Sequence, residues 1–367
     1  MSDSKRLKYF DMAKGIGVFL VLLGHLQGDS FFSLSPYVLP FCTWIFSFHM
    51  PLFFIISGML INYKKDSDKD MSTLISRRFK GIMVPYLWFS LFYFLVVVVA
   101  LFKGTIKINT LLVQAWYVIS LYGMNVLWFL PTLFLGEILF LYIYRRFAGK
   151  ITAIFITTLT TIASTLNFLL DCFEPETAFA ERLTELATVI LRPVFACSFI
   201  ALGFFIFSLL KQREKFNSLE LLAGVAMTIA NVFLHRLNGG VDFRSLVFNN
   251  LLLYYVCALL GSVGLILICK NVPDIKPVSA FGASSLIVMA VHNNETVLYL
   301  GLKLSMIVNQ YITRARGYIS YALVVLVILL YCVIMIYLIN RFFGFIIAKP
   351  SPFDKIIENK KNKNNIN

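Results

Sequence analysis

The stretch Val38-Leu39-Pro40-Phe41-Cys42-Thr43-Trp44-Ile45-Phe46-Ser47-Phe48-His49-Met50-Pro51-Leu52-Phe53-Phe54-Ile55-Ile56-Ser57-Gly58-Met59-Leu60-Ile61 contains no Asp, Glu, Lys or Arg. A helix over it would be about 36 Å long at 1.5 Å per residue, enough to cross a hydrocarbon layer of about 30 Å. Runs of the same kind recur along the chain. Spans are predicted near 10–27, 38–61, 82–102, 126–144, 151–170, 188–210, 219–235, 246–269, 283–300 and 318–347. The 367 residues are 59% apolar and 14% charged, with a mean hydropathy of +0.80. Soluble domains are nearer 45–50% apolar and about 25% charged, and no water-facing surface can be made from so few charges. Soluble, disordered, collagen-like and disulfide-scaffold classes are excluded. The expected fold class is all-α: a polytopic integral membrane protein of about ten transmembrane helices around a polar cavity.

Lys and Arg number 33 against 19 Asp and Glu. In a soluble chain that excess would suggest nucleic acid, but here the charge sits between apolar runs and reads as topology, with no nucleic acid implied. Summed on alternate sides of the ten spans, Lys and Arg divide as 24 to 9, accounting for all 33. The richer side is the cytoplasmic one, which puts both termini there and supports an even number of spans. Lys5, Arg6 and Lys8 before an apolar run imitate a signal peptide, yet no small-x-small site follows and His25 interrupts the run, so it is read as a retained first span. The cysteines show no CxxC and no zinc spacing, so no metal is expected. Residues 1–349 are expected to form the membrane domain. Residues 350–367, dominated at the end by Asn and Lys, are expected to be a disordered cytoplasmic tail. Residues 103–125 and 171–185 are read as solvated external loops.

Ionisable residues inside apolar runs carry the functional argument, because they are costly in lipid. Lys14 and His25 are eleven residues apart, three helical turns, so they share one face about 16 Å apart. Asp11 precedes Lys14 by three residues, within pairing distance. His49 sits among aromatics and needs a hydrogen-bond partner. Glu137, in the fourth span, must be paired or protonated. His292 and Glu295 interrupt the ninth span. Ser57 and Gly58 are explained by close helix packing. Arg77, Arg78 and Lys80 cluster before Pro85 and Tyr86; they serve topology, or clamp phosphates at the membrane face.

Tyr9-Phe10-Asp11-Met12-Ala13-Lys14-Gly15-Ile16-Gly17, with His25 ten intervening residues after Lys14, resembles the opening of the membrane acyltransferase 3 family, above all its fucose 4-O-acetylase-like bacterial members. Phe48-His49-Met50-Pro51-Leu52-Phe53-Phe54 with Ser57-Gly58, the basic cluster before Pro85-Tyr86, Trp128-Phe129-Leu130-Pro131, and Ser285 through His292 are similar to later family landmarks in the same order. The resemblance implies ten or so helices in a bacterial inner membrane. It implies acetyl-CoA drawn from the cytoplasm and an acceptor that is a sugar hydroxyl of a cell-envelope glycan or its lipid-linked precursor. Where the family motif has an arginine this chain has Lys14, which keeps the charge and loses bidentate geometry. The family's arginine pair is matched by Arg78, with Gly81 beyond Phe79 and Lys80, or by Arg77 with Lys80.

Acyl transfer from a thioester to a hydroxyl needs a base, a group for the developing oxyanion, and anchors for the cofactor phosphates. On this reading His25 is the base or an acyl-carrying nucleophile. Lys14 with Asp11 orients or stabilises charge, His49 and Glu137 support the cavity, and Arg77, Arg78 and Lys80 hold the CoA phosphates. The expected partners are acetyl-CoA, the saccharide acceptor and membrane lipid. A rival class is a transporter or flippase for a lipid-linked sugar or small metabolite, which would also place ionisable groups in a membrane; against it stands the lack of an inverted repeat. A noncatalytic scaffold accounts poorly for so many embedded charges.

Overall fold

The computed structural model describes residues 7–25, 38–147, 149–172, 177–210, 216–309 and 316–349. Among them fifteen α-helices follow in order: α1 (Lys8–His25), α2 (Val38–Phe46), α3 (His49–Tyr63), α4 (Met71–Arg78), α5 (Val84–Phe102), α6 (Ile108–Ile119), α7 (Phe129–Arg146), α8 (Lys150–Asp171), α9 (Ala178–Leu209), α10 (Ser218–Asn238), α11 (Leu251–Asn271), α12 (Lys276–Ala283), α13 (Ser285–Val291), α14 (Glu295–Asn309) and α15 (Arg316–Phe342). The described residues hold no strand beyond one isolated bridge, Asp242 with Val247. The protein is an all-α, multi-pass membrane protein. The expected tail, residues 350–367, lies outside the described residues.

Eight helical stretches among the described residues are long and apolar enough to cross a membrane: Phe41–Tyr63, Met71–Phe102, Asn125–Arg146, Lys150–Asp171, Ala178–Leu209, Ser218–Asn238, Leu251–Asn271 and Tyr321–Phe342. The first and ninth of the ten expected spans are not among them. Helix α1 carries Lys8, Asp11 and Lys14 in 18 residues. The stretch 283–300 is broken at residues 292–294, between α13 and α14. The second span is also two helices, since residues 47 and 48 turn between α2 and α3. Pro51 falls in the first turn of α3, where a missing N–H costs nothing. Two expected loops are corrected. Residues 103–125 contain the apolar helix α6, which at 12 residues is too short to span. Helix α9 reaches back to Ala178, so residues 178–185 are helical, and residues 173–176 lie outside the described residues.

The described chain forms two compact units. The first comprises residues 1–74, 120–122 and 132–285. Its helices approach through paired glycines. A Cβ at Gly58 on α3 would run into the Ile200 carbonyl on α9, and one at Gly203 on α9 into that of Ile55 on α3. The same reciprocity joins α1 to α12, through Gly15 beside the Val278 carbonyl and Gly282 beside that of Asp11. Small residues let backbones meet where lipid offers no hydrophobic drive for association. Helix α8 shows the opposite face: Ile151, Ile154, Ile162, Leu166 and Leu169 are exposed. Its Thr161 and Thr165 hydroxyls donate to the carbonyls of Thr157 and Thr161, at 3.0 and 3.1 Å, which satisfies both donors within the helix.

The second unit comprises residues 75–119, 123–131 and 286–367. Tyr86 on α5 donates to the Val118 carbonyl of α6 at 2.9 Å. The helix break is held by side chains. Tyr93 donates to the Ala290 carbonyl at 2.9 Å, Asn125 Nδ2 donates to that of Asn293 at 2.9 Å, and Asn293 Nδ2 donates to Asn125 Oδ1 at 2.6 Å. Asn294 Oδ1 caps α14, accepting from the backbone N–H of Thr296 and Val297 at 3.1 and 3.2 Å.

Candidate active site

Helix α1 is continuous from Lys8 to His25, so Lys14 and His25 do share a face. Lys14 Nζ lies 2.9 Å from Asp11 Oδ1, and Asp11 is buried. The pair is seated where α12 crosses, since Gly282 lies against the Asp11 backbone. A second ion pair, Lys8 Nζ to Asp274 Oδ2 at 3.5 Å, ties the start of α1 to the segment before α12.

At the other end of α1, His25 Nδ1 is 2.9 Å from the Val21 carbonyl. A carbonyl only accepts, so Nδ1 carries the proton and Nε2 of the neutral ring holds a lone pair. The Phe46 ring stands edge-on to His25, centroids 6.2 Å apart, and 5.1 Å from the His49 ring. Gly24 makes room for it, as a Cβ there would meet the Phe46 ring at 3.0 Å. His49 Nδ1 donates in the same way to the Ile45 carbonyl at 3.0 Å. Two imidazoles of one tautomer therefore flank a single aromatic ring. Glu137, buried on α7, accepts from the Ser57 hydroxyl of α3. Ser57, which sequence reasoning assigned to packing, thus supplies the partner that the embedded carboxyl requires.

Residues missed in the sequence surround this end of the site. Asp242 and Arg244, in the connection from α10 to α11, both act electrostatically on His25. Their loop is rigid: Asp242 exchanges backbone bonds with Val247 at 2.8 and 2.9 Å. Its Oδ1 accepts from Arg244 N at 2.8 Å and its Oδ2 from the Ser245 hydroxyl at 2.7 Å. Arg192 is buried within α9, 1% exposed. Its guanidinium lies over the Tyr122 ring at 4.7 Å and Nη1 donates to the Tyr122 carbonyl at 3.2 Å. Arg244 approaches the same ring at 5.6 Å. The signal that could have located Arg192 is its position directly before Pro193, inside an apolar run.

Asp11, Lys14, His25, His49 and Glu137 all belong to the first unit, whereas Arg77, Arg78 and Lys80 belong to the second, as does His292. Arg77 and Arg78 end α4 and Lys80 lies in the π-helical turn Phe79–Met83. At the opposite end of α4 the Asp70 carboxylate accepts from Thr73 N at 2.9 Å. Hydrogen bonds to Thr73 and Ser72 hold that carboxyl below its usual range. Acid at the first turn and cations at the last both complement the helix dipole. His292 is buried, with Nδ1 donating to the carbonyls of Val288 and Met289. The side chain of Glu295 lies outside the described residues.

The model of the family described as "Acyltransferase domain" matches residues 7–341. Among curated proteins, "Nodulation protein NolL" of Mesorhizobium japonicum is 33% identical over 136 residues, which cover 35% of this chain and 34% of that protein. The match thus spans about a third of the relative's length. No solved structure matches. The family match takes in α1 with its Asp11, Lys14 and His25, and continues almost to the end of α15. The chain belongs to the acyltransferase 3 family.

Proposed function

We propose that this protein is a membrane O-acyltransferase of the bacterial inner membrane, moving acetyl from cytoplasmic acetyl-CoA to a sugar hydroxyl of a cell-envelope glycan or its lipid-linked precursor. The observation that carries the reading is α1 itself, where buried Asp11, its ion-pair partner Lys14 and His25 occupy one helix face. Both termini are cytoplasmic, so Lys14 faces the donor side and His25 the acceptor side. Arg77, Arg78 and Lys80 hold the CoA phosphates.

The hydroxyl of the acceptor gives its proton to His25 Nε2 while its oxygen bonds to the acetyl carbon. The C–S bond then breaks, and the departing CoA thiolate takes the proton from His25. Hydrogen bonding of Nδ1 to Val21 fixes the tautomer in which the neutral ring carries its basic lone pair on Nε2. Lys14, paired with Asp11, orients the donor or stabilises its charge at the cytoplasmic entrance. His49 and Glu137 support the cavity.

The test uses membranes containing wild type or His25→Ala, supplied with acetyl-labelled acetyl-CoA, and follows label into base-labile esters of the lipid-linked and polysaccharide fractions. Correct insertion of both forms is checked alongside. Label with wild type and none with His25→Ala is the expected outcome. No label with either form, given a supply of host glycan precursors, returns the transporter reading. Equal label with both moves the chemistry to His49, Glu137 or His292.

A further inference from the structure

Two cations meet at the ring of Tyr122. The Arg192 guanidinium lies 4.7 Å from the ring centroid and that of Arg244 5.6 Å, so the two groups stand no farther apart than the sum of these distances. All three residues belong to the first unit, as does His25. Arg244 is anchored by its neighbour in sequence. The Phe243 ring packs on Phe54 of α3 at 5.2 Å and on Phe248 at 5.8 Å, and the bridge from Asp242 to Val247 closes the loop around it. The guanidinium is half-buried, and its charge reaches His25.

No carboxylate answers Arg244. Asp242, two residues away, spends both oxygens on the Arg244 backbone N–H and the Ser245 hydroxyl. Asp171, at the end of α8, is engaged by Asn167 at 3.3 Å, whose amide also donates to the Leu246 carbonyl of this loop. Arg244 has no ion pair among the described residues. A third group lies close by. The Tyr254 ring stacks on Phe248 at 4.9 Å, and its hydroxyl is buried with no hydrogen-bond partner among the described residues. The charge of Asp242 reaches Tyr254 as it reaches His25. A buried hydroxyl without a partner is costly, and an oxygen of a ligand would remove that cost. A cation that serves only the membrane interface is placed differently: Arg236 is exposed on α10, over the ring of Phe233.

Guanidinium groups take carboxylates and phosphates through paired N–H bonds. We propose that Arg244, backed by the charge of buried Arg192 and with the Tyr254 hydroxyl as a second donor, binds a carboxylate or phosphate of the acceptor and so sets the acceptor hydroxyl toward His25. The inference rests on the acyltransferase reading above and narrows its substrate class by charge: an anionic saccharide, not a neutral one.

The experiment uses the full chain in nanodiscs of phosphatidylcholine, with acetyl-labelled acetyl-CoA and the acceptor fraction extracted from host envelopes. Arg244→Gln is expected to raise the KM for that fraction about tenfold, with kcat and the KM for acetyl-CoA unchanged, and Tyr254→Phe to raise it about threefold. Arg244→Lys, which keeps the charge, should recover most of the loss, and Arg236→Gln should match wild type. Carboxylates of the fraction are reduced with carbodiimide and borohydride, or its phosphates removed with aqueous hydrofluoric acid; one treatment is expected to bring wild type to the level of Arg244→Gln, and which one identifies the anion. A rise confined to the acetyl-CoA KM, or an unchanged KM on a fraction stripped of both anions, overturns the proposal. So does a defect that appears only after phosphatidylglycerol is added, which assigns the site to a lipid headgroup. Binding of the fraction without acetyl-CoA separates this proposal from the reading it rests on. A loss of about tenfold in Arg244→Gln, in a protein that transfers no acetyl, keeps the anion site and removes the acyltransferase. Full transfer with an unaltered KM in Arg244→Gln does the reverse.

Discussion

Each histidine of the chain donates Nδ1–H to the carbonyl four residues back, His25 to Val21, His49 to Ile45, His235 to Asn231 and His292 to Val288. A bond to a backbone four residues back satisfies one ring nitrogen without any tertiary partner, which is why a histidine can stand in an apolar helix at all. What separates His25 is the company of Asp242 and Arg244, whose charges act on it. Ser57 and Glu137 are a different case, since the hydroxyl satisfies a buried carboxyl on another helix. Ser57→Ala is expected to lower stability by about 1–3 kcal/mol, read as a lower melting temperature in lipid nanodiscs. Glu137→Gln, whose amide oxygen still accepts from Ser57, should lose less; an equal loss would mean that the pair does not carry the effect. The Lys14 to His25 spacing was legible in the sequence because helix periodicity turns a count of residues into a direction. The Ser57 to Glu137 pair was not, because nothing local in either segment records a partner 80 residues away.

Glycine contacts set how closely the elements approach. At Gly203 a side chain would collide with backbone on α3, which cannot yield as a flexible side chain would. Gly203→Val is therefore expected to cost about 3 kcal/mol or more, measured as earlier unfolding in a detergent titration. Gly240→Ala, where a Cβ would meet nothing within 4 Å, serves as the comparison and should stay near wild type. Long apolar elements such as α8, α9 and α15 were legible from hydropathy alone. The failures share a cause. Window averages cannot see the turn at residues 47 and 48 or α6, because each depends on a side chain from elsewhere in the chain that satisfies a carbonyl there, whereas the break at 292–294 was legible from His292 and Glu295.

At the scale of the molecule, orientation in the membrane follows from the distribution of Lys and Arg, and cysteine offers a direct reading of it. Cys172, at the end of α8, is exposed, whereas Cys42, Cys197, Cys257, Cys269 and Cys332 are buried. On the proposed orientation, with both termini cytoplasmic and α1 crossing, the end of α8 faces outward. A membrane-impermeant maleimide added to intact cells should label wild type and not Cys172→Ser; labelling that requires permeabilised cells would reverse the orientation. The packing of α1 has a further consequence for biogenesis. Three charges make α1 a poor substrate for a translocon that sorts segments by hydropathy. The helix that covers it, α12, is among the last to be synthesised. Until α12 emerges from the ribosome, α1 lacks the cover that seats its Asp11–Lys14 pair. Formation of the candidate site thereby waits until most of the chain has been made.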